Sequence, residues 1–281
     1  MHRYYLPDFR FPELAPAEAH HCLHVIRQTA GDVITVFDGR GHEAQATIAR
    51  TDRASVQLTL QPATTSAPLP GRITLAQAIP KQRMDLIVQK ATELGVAVIA
   101  PLFSERTLLP AGRDLSGKWE RWRSISLEAC KQSGNNWLPD LLPPRKTADF
   151  LAALGPYDLT LIGSLQPEAQ PLKQILADAR VAPTKERPQE PTPGPSRGGE
   201  QHSGIPLLGG ARGGSEVPDG AQRRACSVLV LIGPEGDFTP AELALARTHG
   251  CHPLSLGPLV LRADTAALYA LSILHHELNC S

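Results

Sequence analysis

Apolar positions follow two different patterns along this chain. In the first sixty residues they alternate singly with polar ones. The stretch DVITVFDGRGHEAQATI places Val33, Thr35 and Phe37 on one face and turns through Asp38-Gly39-Arg40-Gly41. It then begins a return strand at Ala44, Ala46 and Ile48. ASVQLTL alternates again at Val56, Leu58 and Leu60. A short helix over residues 16–27 precedes these strands. Several short strands in so little chain predict a small β-barrel.

PATTSAPLPG, residues 62–71, has no period and marks a boundary. Beyond it, near-continuous apolar runs alternate with helical patterns. The runs are RITLAQAI, VAVIAPLF, DLTLIGS, SVLVLIG and the short HPLSLG. In MDLIVQKATELG the residues Met84, Ile87, Val88, Ala91 and Leu94 recur every three or four positions, and Gly95 supplies a stop. GKWERWRSISLEACKQS, LKQILADAR and TPAELALARTHG read as further helices, with a last one over residues 264–278. Strands buried on both faces and alternating with helices predict a mostly parallel α/β sheet. Residues 183–224 are dense in proline and glycine, with few side chains able to bury apolar surface. Such a segment cannot offset its ordering entropy, so it is expected to be a disordered, solvated insertion between two structural elements.

Composition narrows the function classes. The 281 residues carry 28 Lys+Arg against 28 Asp+Glu, so there is no net charge. That argues against a protein that coats nucleic acid wholesale and leaves room for a local basic face. No uninterrupted apolar window is long enough to span a bilayer, and the N-terminal MHRYYLPDFRFPELAPAEAHH has no apolar signal region, so neither a membrane span nor a secretory signal is expected. The 5 cysteines are scattered and form no C-x-x-C pair. Reduced thiols and a cytoplasmic location are the expectation, without a zinc ribbon. The chain also lacks a P-loop, a G-x-G-x-x-G after a strand, and a G-x-S-x-G nucleophile elbow.

Four local patterns could carry chemistry. In VLVLIGPEGDFTPAEL an apolar strand ends at Ile232 and Gly233-Pro234-Glu235-Gly236 turns the chain. Thr239 can then cap a helix, with Glu242 at the capping-box position. Loops at the carboxyl ends of parallel strands are the usual ligand site of such sheets, although a plain strand–helix connection would look the same. In LSLGPLVLRADTAALYAL, Gly257 and Pro258 form a second bend, and Arg262 and Asp264 stand just before a helix, either as a cap and salt bridge or as part of a shared pocket. HHCLHVIR puts His20 and His24 four residues apart on a helix, but with no H-E-x-x-H and no carboxylate partner a metal is not expected. KQSGNNW brings Lys131, Gln132, Asn135 and Asn136 together beside a turn, where they could meet phosphates and base edges or simply cap the helix.

Taken in order, HHCLHVIRQTAGDVITVFDGRG, IPKQRMDLIVQKATELGVAVIAPLFSERT, RWRSISLEACKQSGNNWLP, LIGPEGDFTPAEL and LSLGPLVLRADTAAL resemble the RsmE family, the N3-uridine methyltransferases of 16S ribosomal RNA. The likeness spans almost the whole chain outside 183–224. It implies an N-terminal PUA-like β-barrel, residues 1–67, and a C-terminal SPOUT α/β domain, residues 72–281, ending in a trefoil knot that binds S-adenosylmethionine (SAM). It further implies a homodimer acting on the small ribosomal subunit.

Carried across residue by residue, Gly163, Ile232, Gly233, Glu235, Gly236, Leu256, Gly257, Leu261 and Arg262 would bind the cofactor, and Arg262 and Asp264 would serve catalysis. Arg3, Arg10, Arg27, Lys131, Gln132 and Asn135 would meet RNA. The family's usual T-E-T-A after the arginine is here Ala263-Asp264-Thr265-Ala266, one methylene shorter at the acid. Lys131 and Asn135 stand where many relatives carry Glu and Arg. Two other readings fit the same residues: a SPOUT enzyme for another RNA position, such as a tRNA base or a ribose 2′-OH, and a non-catalytic RNA-binding assembly factor.

Overall fold

The computed structural model describes residues 2–53, 55–107, 115–178 and 226–280. The insertion expected over 183–224 lies outside the described residues.

The N-terminal unit is a five-stranded sheet. Its strands are β1 (Arg3–Tyr5), β2 (Val33–Phe37), β3 (His42–Thr51), β4 (Val56–Leu60) and β5 (Thr64–Thr65). The order is β1-β2-β3-β4, with β5 also on β3. Strands β2, β3 and β4 form an antiparallel meander, whereas β1 joins β2 in parallel. Helix α1 (Pro16–His20) runs on as a π-helical turn, His21–Ile26, and ends at Arg27 in a left-handed conformation (φ 63°). Alternation puts Ile34, Val36, Ala44, Ala46, Ile48, Val56 and Leu58 into one core, where Tyr4, Leu6, Ala19 and Cys22 close over them.

The second unit is a parallel sheet of eight strands. They are β6 (Gly71–Ala78), β7 (Val98–Phe103), β8 (Asp140–Leu141), β9 (Arg145–Lys146), β10 (Leu159–Gly163), β11 (Gln170–Pro171), β12 (Cys226–Ile232) and β13 (His252–Ser255). The order is β11-β13-β10-β12-β6-β7-β8, with β9 also on β7. Every pairing in it is parallel. The helices are α2 (Met84–Glu93), α3 (Ser116–Ser133), α4 (Thr147–Ala152), α5 (Leu172–Asp178), α6 (Pro240–Thr248) and α7 (Ala263–Asn279).

Both faces of the sheet are covered, which explains the continuous apolar runs. On one face Ile73, Leu75, Leu161, Val228 and Val230 pack against Ile87, Trp122, Ile175 and Leu271 of the helices. On the other, Ala76, Ala100, Leu229 and Leu231 pack against Phe150, Leu151, Leu243 and Ala246. From β6 the order runs to β7 on one side and to β12 and β10 on the other, so the direction of winding changes at β6. No helix among the described residues is long and apolar enough to cross a membrane.

Candidate functional site

Three loops leave the carboxyl ends of neighbouring strands β10, β12 and β13, close to that change of direction, where open α/β sheets take ligands. They enclose a cavity of about 310 Å³. Its walls include Gly163, Ser164 and Leu165 after β10, Ile232, Gly233 and Glu235 after β12, and Leu256, Gly257, Leu259, Val260 and Leu261 after β13. The volume falls within the range of small-molecule sites, about 300–1,000 Å³.

Local sequence explains each wall. The β12 loop is pinned by the Asp237 N–H donating to the Pro234 carbonyl at 3.0 Å, and Phe238 anchors it in the core shared with Phe150 and Leu243. The capping box forms as its pattern predicts: the Glu242 N–H donates to Thr239 Oγ1 at 3.2 Å, and the Thr239 N–H to Glu242 Oε2 at 3.0 Å. From β6, the buried Gln77 amide donates to the Ala78 carbonyl at 2.9 Å and leans on the Ile232 and Gly233 carbonyls at 3.4 and 3.5 Å. In the β13 loop, Gly257 has φ +111°, a conformation costly for any side-chain-bearing residue.

A second cavity, about 350 Å³, lies beside the first and shares Glu235 and Ala263 with it. Lys81, Arg83, Arg262 and Asp264 also line it. The Lys81 N–H donates to the Glu235 carboxylate at 3.0 and 3.2 Å, tying the two cavities together. Arg83, the residue before α2, has φ +70°, and its Nη1 donates to Asp264 Oδ2 at 2.9 Å. Burial would raise the Asp264 pKa. The Arg83 hydrogen bond and backbone N–H groups at Thr265 and Asp264 outweigh burial and hold the carboxyl below its usual value. Arg262 is exposed, and its guanidinium makes no ion pair among the described residues.

The loop residues picked out from the sequence thus converge, apart from two. Gly236 stands outside the walls of the first cavity; its carbonyl accepts from Arg106 Nη1 at 2.5 Å, and Arg106 packs over its Cα. Arg262 faces the second cavity rather than the first. Lys81 and Arg83 escaped the sequence reading, although KQRMD, cations between a strand end and a helix start, was the available signal.

The six residues assigned to RNA separate into two groups. Arg3 is paired with Glu43, donates to Asn136 Oδ1 at 2.6 Å and lies over the Phe37 ring. The Lys131 side chain is 7% exposed and pairs with Glu18 and Glu128. Asn135 Oδ1 accepts from the Trp137 N–H at 2.9 Å. Arg3 and Lys131 thus face the junction of the two units, and Asn135 makes a local turn contact. Arg10, Arg27 and Gln132 are exposed, with Arg10 paired to Asp8. The His20 and His24 rings lie tilted at 51° with centroids 4.8 Å apart, and no group of three or more His, Cys, Asp or Glu able to hold a metal occurs among the described residues.

The chain matches the profile of the RNA methyltransferase domain over residues 67–187 and 211–275, and that of the RNA methyltransferase PUA domain over 14–61. It is 31% identical over 261 residues to ribosomal RNA small subunit methyltransferase E of Synechocystis sp., covering 92% of this chain and 71% of the relative. It is 26% identical to the protein of that name from Bacillus subtilis, covering 92% and 88%. Among solved structures, the Neisseria gonorrhoeae ribosomal RNA small subunit methyltransferase E bound to SAM superposes with a TM-score of 0.72 at 26% identity, covering 97% of this chain and 96% of that one.

Proposed function

The chain belongs to the RsmE family of RNA methyltransferases, and from that premise we propose that it transfers a methyl group from SAM to N3 of one uridine in the 16S RNA of the small ribosomal subunit. The observation that carries this reading is the three-loop cavity at the ends of β10, β12 and β13, in a chain that superposes on a SAM-bound relative.

The residues present suit SAM. Ile232, Leu254, Leu256 and Leu261 offer apolar walls for an adenine ring, while Gly163, Gly233 and Gly257 let backbone donors and acceptors come close. Glu235 brings a negative charge to a cavity that would hold a sulfonium. Bound SAM supplies an already activated methyl group, so the chain itself has to hold an acceptor nitrogen in line with it and dispose of one proton. Arg262, at the rim of the neighbouring cavity, is placed to grip an RNA phosphate. Asp264, held ionised by Arg83, is a weak proton acceptor and serves to orient that guanidinium. N3 lies on the Watson–Crick edge, so the target uridine must be unpaired or extruded.

The trefoil knot and the homodimer belong to the same proposal. Strand β13 lies beyond β10, yet α7, which follows it, packs back on β6, β12 and α2, so residues 256–262 must recross the sheet end. Leu165, Leu259 and Val260 are exposed at the cavity mouth and Tyr269 on α7, an apolar surface that a second copy would cover. Exposed Arg10, Arg27 and Gln132 remain for RNA contact.

The test is mass spectrometry of small-subunit RNA from cells with and without the protein, paired with methyl transfer from labelled SAM to subunits of the deficient cells. Loss and restoration of a single 3-methyluridine is the expected result. A different methylated nucleoside, or none, would overturn the reading.

A further inference from the structure

The cavity beside the SAM pocket is built unlike a structural void. Three cationic side chains, Lys81, Arg83 and Arg262, converge on it against two carboxylates, Glu235 and Asp264. Those five are the charged groups that line it, so its balance is positive by one. Both carboxylates are already hydrogen-bonded within the site. Glu235 accepts from the Lys81 backbone N–H, and Asp264 from Arg83 Nη1. Arg83 is held on two sides, by a left-handed backbone at the start of α2 and by Asp264 at the start of α7. The Arg83 side chain is half exposed, 53%, while that of Asp264 is 10% exposed. The anchor is therefore buried and the cation looks into the cavity.

The structure assigns this cavity as the acceptor site for the target uridine, with Arg83 as the catalytic cation that meets the uracil when N3 gives up its proton. The inference rests on the methyl-transfer reading above. Its chemistry is limited to one proton. The N3–H bond breaks, the proton passes to water in the open cavity, and the electron pair stays on the ring, spread over N3, O2 and O4. A fixed guanidinium near O2 or O4 stabilises that charge most, because it is oriented before the charge forms. The pair on N3 would then make the new N–C bond to the methyl carbon as the S–CH3 bond of SAM breaks, its electron pair going to the sulfur of the departing S-adenosylhomocysteine. No side chain has to act as general base, and the lowered pKa of Asp264 makes it a weak one. Lys81 and Arg262 line the same cavity and could meet the phosphates flanking an extruded nucleotide.

The test compares the wild-type chain with Arg83→Gln, Arg83→Lys and Asp264→Asn. Methyl transfer to small subunits is followed across neutral to alkaline pH. For the wild type the rate should climb with pH to a plateau. In Arg83→Gln the climb should move up by about one pH unit or more, with about tenfold or greater loss at neutral pH. Arg83→Lys should recover part of the shift, and Asp264→Asn should show a smaller shift of the same sign. A second readout omits SAM: the affinity for an RNA fragment carrying 5-fluorouridine, whose N3 is more acidic, against the uridine fragment. The wild type should prefer the fluorinated fragment at alkaline pH, and Arg83→Gln should lose the preference. An unshifted profile and an intact preference in a folded Arg83→Gln protein would overturn the assignment while leaving the methyltransferase reading standing. A wild type that transfers no methyl group would overturn both.

Discussion

Lys131 Nζ, on α3 of the catalytic unit, donates to Glu18 Oε1 on α1 of the N-terminal unit at 2.9 Å, with both side chains more than nine-tenths buried. Glu128 closes on the same ammonium at 2.5 Å, and the second Glu18 oxygen accepts from the Tyr5 N–H. A lysine that the sequence offers to RNA is thus a strut between the two units. Desolvation works against its charge, but the two glutamates prevail and raise its pKa.

Removing that lysine strands two carboxylates, one of them buried. Lys131→Ala should therefore destabilise the protein by about 3–5 kcal/mol in chemical denaturation, whereas the double change Lys131→Met with Glu18→Met should recover most of the loss. The pH dependence has a definite sign. A raised folded pKa means the contribution is complete below the ordinary value of 10.5 and is lost as pH climbs through the higher folded value. Alkaline melts should thus narrow the gap between wild type and the double variant. A Lys131→Ala protein of wild-type stability with weakened RNA binding would return the residue to the RNA surface.

Asp264 carries the opposite sign. Its folded pKa is depressed, so its contribution is present above the ordinary 3.8 and fades as pH falls through the folded value. Because its partner Arg83 is half exposed, the pair is worth roughly 1 kcal/mol or less. Asp264→Asn should melt within a few degrees of wild type at neutral pH, and the two curves should merge in acid. A loss of several kcal/mol at neutral pH would mean that Asp264 supports more than Arg83.

Much of the catalytic unit is legible because its strands and helices obey simple periods. The runs ending at Gly163, Ile232 and Ser255, the Thr239–Glu242 cap and the bend at Gly257 all announce themselves locally. What stays hidden is pairing at a distance. Strand β1 is three residues long and exists because Arg3–Tyr5 lies parallel to Thr35–Phe37, which no local pattern encodes. Arg83 and Asp264 are 181 positions apart, and only the return of α7 onto α2 and β6 makes them partners. Lys131 misleads for the same reason: a polar cluster at a helix end looks solvated until Glu18 arrives from another unit.

The family profile passes over residues 188–210, between its two matched segments. Replacing those residues with a short Gly-Ser bridge should leave SAM affinity and methyl transfer within about twofold of wild type, since loop-closure entropy changes only slowly with the length of a connection. Calorimetry and the transfer assay read the two quantities. A folded variant that binds SAM yet fails on subunits would give the segment a part in substrate recognition.

Gly257, in the wall of the three-loop cavity, and Gly236, outside it, make the sharpest contrast. A Cβ on Gly257 meets nothing within 4 Å, so Gly257→Ala should not clash; its cost is the backbone, which at φ +111° is strained for alanine. Relieving a strain of about 1–3 kcal/mol would swing the β13 loop and with it Leu256 and Leu261, both of which wall the cavity. SAM affinity should fall by about tenfold or more, with little change in global stability. Gly236 has no positive φ, and a Cβ there meets only the flexible Arg106 side chain, at 3.3 Å. Gly236→Ala should keep SAM affinity within a few fold, because Arg106 can shift and Gly236 lies outside the cavity wall. If calorimetry found the reverse order, with Gly236→Ala the damaging change, the cofactor would have to lie over the Gly236 turn instead of inside the three-loop cavity.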